Sequence, residues 1–138
     1  MLTRCWVSCA VVMLSVVGCG GKSAAERMAD HDRARVSWEQ TARFVGAEWI
    51  ARAIPDAFAA RTLARARDEL QSEAEAVRKD ELSAQERALL RDSLHAALAF
   101  GDSLARVVGA GDREAAAVLV SNSPRANADS LLRRASLR

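Results

Sequence analysis

Apolar positions along this chain recur with helical rather than strand spacing. Trp38, Ala42, Val45, Trp49 and Ala53 follow one another at intervals of four, three, four and four residues. That period puts all five on one face of a helix. The predicted first helix starts at residue 24 or 26 and runs to 53. Its two tryptophans are expected to bury against partner helices rather than meet lipid. Ile54-Pro55-Asp56 is the expected stop, because proline disfavours helical geometry in the residue before it and suits the start of the next helix. A second stripe, Ala59, Leu63, Ala66, Leu70, Ala74 and Val77, predicts a helix over 55–80. Its other face is charged and carries acid–base neighbours such as Glu75 and Lys79, expected to be solvated.

The third stripe, Leu90, Leu94, Ala97, Gly101, Leu104 and Val108, has heptad spacing. Ser83-Ala84-Gln85-Glu86 opens that helix as a capping box, in which the Ser83 and Glu86 side chains satisfy otherwise orphaned amides. Small side chains at Ala97 and Gly101 predict a close helix approach there. Gly109-Ala110-Gly111 ends the helix, and Asp112 is the expected cap of a short helix through Val120. Ser123-Pro124 opens a last predicted helix reaching Leu137. The expected fold is all-α: a small antiparallel helical bundle of three long helices plus one or two short C-terminal helices, spanning residues 26–138. Narrow, alanine-rich stripes make a modest core, so a protein partner or a homodimer is expected to bury more apolar surface.

The first 18 residues follow another pattern. Met1 to Arg4 form a short positive segment, and the run CWVSCAVVMLSVV follows, too short to span a bilayer. The run closes on Val16-Val17-Gly18-Cys19, which resembles the lipobox of bacterial lipoproteins. The resemblance implies a signal peptide over 1–18, cut between Gly18 and Cys19. It also implies a Cys19 thiol that takes diacylglyceryl and a Cys19 amino group open to further acylation. Residues 19–25 are then the lipidated cysteine and a short tether, and the covalent lipid on Cys19 is the membrane partner. Gly20 rather than Asp follows the cysteine, which in a Gram-negative cell favours the periplasmic face of the outer membrane. Cys5 and Cys9 fall inside the leader and read as small apolar filler.

Composition narrows the rest. Half of the chain is hydrophobic but only 4% is aromatic, with no tyrosine, as helices of Ala, Leu and Arg require. Net charge is +2, with both signs interspersed, so no field for nucleic acid arises. No cysteine follows Cys19, which excludes disulfides and thiolate metal sites from the helical part. The weak metal candidates are Asp92 and His95, three residues apart on helix three. His31, flanked by Asp30 and Asp32, reads with them as an ordinary surface histidine, so neither a metal nor another cofactor is expected. No phosphate loop, dinucleotide fingerprint or nucleophile elbow occurs, so no catalytic residue is assigned and no enzyme is expected. In the last residues Arg125, Arg133, Arg134 and Arg138 accompany Leu131, Leu132 and Leu137, expected to dock leucines and leave arginines outside.

Leu82-Ser83-Ala84-Gln85-Glu86-Arg87 resembles the Leu-Thr-x-x-Gln repeat of periplasmic helical stress chaperones and metal-resistance sensors. Ser83 stands for threonine, Glu86 for glutamine, and no second copy is present. The expected function is a lipid-anchored extracytoplasmic interaction protein: an envelope scaffold, adaptor or accessory subunit. The alternative is a periplasmic chaperone or metal-responsive stress protein.

Overall fold

A computed structural model of the chain describes residues 21–123. The leader, Cys19 and the helix expected after Pro124 lie outside these residues. Four helices make up the described chain: α1 (Ala24–Ile50), α2 (Asp56–Lys79), α3 (Ala84–Gly109) and α4 (Arg113–Asn122). The protein is all-α over this range.

Local chemistry sets most of the boundaries. Ser83 and Glu86 form the expected capping box at α3, and Asp112 caps α4 by accepting from the Ala115 amide at 2.9 Å. A second capping box, Ser23 with Glu26, starts α1. Ser23 is the N-cap of α1, and Ser-Ala-Ala-Glu carries the same signature as the α3 box.

Two expectations are corrected, one about the end of α1 and one about Gly101 of α3. The helix ends at Ile50, three residues before Ala53, and Ala53 is exposed. Its end is a Schellman turn formed upstream of the proline: the Arg52 amide donates to Trp49 O and the Ala53 amide to Glu48 O. Arg52 takes the left-handed position of that turn, at φ 60°, where glycine is usual. At the end of α3 the same turn uses Gly111, at φ 73°. Of the two small residues expected to admit a close helix approach, Ala97 is buried in the core but Gly101 admits none. A side chain at Gly101 would meet nothing within 4 Å, whereas one at Gly46 would meet Leu104 Cδ2 at 2.9 Å and Val120 Cγ2 at 3.1 Å. Gly46 lets α1 sit tightly on α3 and α4.

The three long helices pack on one another, and α4 packs on α1 and α3. The stripes of α2 and α3 are buried as their spacing requires, with Ala74 and Gly101 only partly so. The core divides in two. One cluster joins Ala42, Val45, Trp49, Ala59, Leu63, Leu104, Val108 and Ala116. The other joins Met28, Leu70, Val77, Leu82, Leu90, Leu94 and Ala97, with Trp38 packed at its edge. Trp49 is fully buried and Trp38 only partly, so the two tryptophans serve different clusters.

Candidate functional site

Between the two clusters the buried seam of α1 becomes charged. Met28, Asp32, Arg35, Glu39, Ala42, Gly46 and Trp49 are all buried, and they follow a heptad spacing whose centre is ionic. Asp32, Arg35 and Glu39 are only 5%, 6% and 7% exposed. Arg35 donates to Asp32 Oδ1 from Nε at 2.9 Å and to Glu39 Oε2 from Nη1 at 2.8 Å. Arg43 continues the ladder, donating to Glu39 Oε1 at 2.8 Å. These bonds satisfy within α1 most of what burial would otherwise make costly. From the end of the ladder Arg43 reaches across to α4, donating to the Ser123 carbonyl and hydroxyl at 3.1 and 2.6 Å. Its guanidinium also lies 5.1 Å from the centre of the Phe100 ring.

The second feature joins the beginning of α1 to the end of α2. His31 Nδ1 lies 2.5 Å from Glu73 Oε1, and its Nε2 lies 2.9 Å from Asp80 Oδ2. The imidazole is largely buried, at 14% side-chain exposure, where the sequence reading had an ordinary surface histidine. Ionised carboxylates only accept, so a ring that donates to both must carry both protons. Burial pulls the His31 pKa down, but the hydrogen bonds and charges of Glu73 and Asp80 outweigh it and the net shift is upward. Asp80 is held below the usual carboxylate range, first by its bond to His31 and then by the Glu81 amide and the charge of Arg27. The two carboxylates sit on opposite ring nitrogens, so they do not converge on one point where a metal ion would bind.

Arginines close this corner. Arg27 Nε lies 3.3 Å from Asp80 Oδ1, and its Nη2 donates to the Glu81 carbonyl at 2.8 Å. Arg87 Nη2 donates to the carbonyls of Asp80 and Leu82 at 3.1 and 3.0 Å, tying α3 to the same turn.

The residues singled out from the sequence lie elsewhere. Asp92 and His95 are both exposed on α3, and Asp92 pairs with its neighbour Arg91 at 3.3 Å. Among the described residues no three His, Cys, Asp or Glu side chains are grouped to hold a metal ion. Gly18 and Cys19 lie outside the described residues. On α2, Glu75 pairs with Arg78 at 2.8 Å on an exposed face.

Sequence reasoning missed the ladder and the histidine clamp. The ladder has a legible signal: Asp32, Arg35, Glu39 and Arg43 alternate in sign at helical spacings and continue the Trp49 seam backwards. Nothing in the sequence pairs His31 with residues 42 and 49 positions away.

A third feature is open to solvent. A groove of about 240 Å³ between α3 and α4 is lined by Phe100, Val118, Leu119, Asn122 and Ser123. Val118 is half exposed at its rim, and Phe44 on α1 and Phe58 on α2 are also exposed. No described helix is long and apolar enough to cross a membrane. Comparison of the chain with family models, with curated proteins and with solved structures returned no match.

Proposed function

We propose that the protein is a lipid-anchored extracytoplasmic interaction protein, an adaptor, scaffold or accessory subunit of a bacterial envelope. The observation that carries this reading is the lipobox-like Val16-Val17-Gly18-Cys19 followed so soon by a fixed helix. Only Gly20, Gly21 and Lys22 stand between Cys19 and Ser23, the α1 cap. Three residues reach roughly 10 Å, so lipid on Cys19 would hold the helices against the membrane surface. The short connections and the link from His31 on α1 to Asp80 at the end of α2 favour an antiparallel bundle. On that arrangement the far end of α1 stands about 40 Å from its start, given 27 residues at ~1.5 Å each. An anchored rod with exposed Phe44 and Val118 along it suits capture of a neighbouring protein or a second copy of this chain.

Two measurements test the reading. Cells expressing the full chain are labelled with a fatty-acid analogue, and label is expected on the wild type and not on Cys19→Ala. Equal labelling would remove the anchor. A photo-crosslinking amino acid at position 44 or 118 should then capture a discrete partner, or the chain itself in the case of a homodimer. Loss of aggregation of an unfolded client in the presence of the protein, with no discrete crosslink, would replace the adaptor by a chaperone.

A further inference from the structure

We infer that Glu73, His31 and Asp80 form a proton-operated clamp that holds the N-terminal half of α1 on α2 and releases it as the imidazolium of His31 loses its proton. The clamp requires an imidazolium. With both ring nitrogens protonated, His31 donates to Glu73 on one side and to Asp80 on the other. Loss of one proton leaves a nitrogen lone pair facing a carboxylate, and a hydrogen bond becomes a repulsion.

The groups around the ring favour the charged form on balance. Glu73 and Asp80 of α2 both contact it, while Arg27 of α1 opposes it through its contact with Asp80. Arg87 of α3 addresses the carbonyls of Asp80 and Leu82 and not the ring. The upward shift of His31 agrees with that balance.

This half of α1 depends on the clamp more than the other half does. Beyond Ala42 the helix is held by Ala42, Val45 and Trp49 in a continuous apolar cluster. Before Ala42 it gives the second cluster Met28 and the edge of Trp38, and buries Val36 apart from either cluster. The buried charges between them, Asp32, Arg35 and Glu39, are paired with one another along α1. They keep those partners when the helix lifts, so besides the clamp itself the polar ties that lifting must break are those of Arg27 to Asp80 and to the Glu81 carbonyl. What it uncovers is apolar: Leu70 and Val77 of α2, and Leu90, Leu94 and Ala97 of α3. The inference does not depend on lipid at Cys19.

The sign follows from linkage. A histidine raised on folding adds stability that is complete below its unfolded value, about pH 6.5, and is lost as pH climbs through the folded midpoint. Asp80, lowered on folding, adds stability above about pH 4 that is lost in stronger acid. The clamp is therefore tightest between about pH 4 and 6.5.

The test uses the full-length chain in detergent. The sequence has two histidines, and the signal lost in His31→Gln is that of His31, the one that remains that of His95. NMR titration of the wild type should give a His31 midpoint above 6.5, and Glu73→Gln should lower it. Hydrogen exchange, corrected for the intrinsic pH dependence, should show protection of residues 24–36 falling as pH passes that midpoint. Protection of residues 42–49 should stay level. Each unit by which the midpoint exceeds 6.5 should appear as about a tenfold change in the opening of 24–36. A wild-type midpoint at or below 6.5, or protection of 24–36 that ignores pH, overturns the clamp.

Discussion

Gly46 offers a perturbation whose sign depends on whether Leu104 and Val120 can yield. Replacing a glycine inside a helix by alanine ordinarily gains about 1 kcal/mol, because less backbone freedom is lost on folding. Here the new methyl would sit 2.9 and 3.3 Å from the two Cδ atoms of Leu104 and 3.1 Å from Val120 Cγ2. Leu104 is fully buried, so it cannot swing aside without disturbing the cluster around Trp49. Overpacking of this kind costs about 1–3 kcal/mol, which leaves Gly46→Ala about 1 kcal/mol less stable than the wild type. Leu104→Ala alone should cost about 2–5 kcal/mol by leaving a cavity. In that background both Cδ atoms are gone, and the remaining close neighbour, Val120, is only partly buried and can give by the few tenths of an ångström needed, so Gly46→Ala should stabilise by about 1 kcal/mol. The coupling between the two positions is thus about 2 kcal/mol, read from urea unfolding of the four chains followed by helical circular dichroism. Additivity within about 0.5 kcal/mol would refute the argument, and so would a wild-type chain that Gly46→Ala stabilises outright.

Two further substitutions probe the rest of α1. Arg35→Met leaves Asp32 and Glu39 buried without their shared cation and should cost about 3–5 kcal/mol in urea unfolding. Replacing all three by well-packed apolar residues should recover most of that loss. Arg52→Gly relieves a left-handed backbone position in a non-glycine residue and should raise stability by about 0.5–1 kcal/mol, seen as a higher unfolding midpoint at unchanged slope.

The amino-acid pattern alone determined the helical class, the stripes of α2 and α3, and the caps at Ser83 and Asp112. Each of these depends on residues within one or two turns of each other, whose spacing is visible in the chain. The α1 stop was misjudged because a Schellman turn normally advertises itself with glycine, and Arg52 gives no such sign. The α1 seam was legible only from Ala42 onward, since a search for apolar positions passes over Asp32, Arg35 and Glu39. Their burial is a property of how α1 packs against the other helices.

Tertiary structure decided three things that no local pattern holds. It chose Gly46 over Gly101 as the close approach, because that choice depends on where Leu104 and Val120 arrive. It separated Trp38 from Trp49, placing them at two clusters divided by charge. It brought His31 to Glu73 and Asp80 across more than forty residues of sequence, placing an imidazole between two carboxylates of another helix. Burial and charge pairing between helices are relations among distant residues, and the chain acquires them only on packing.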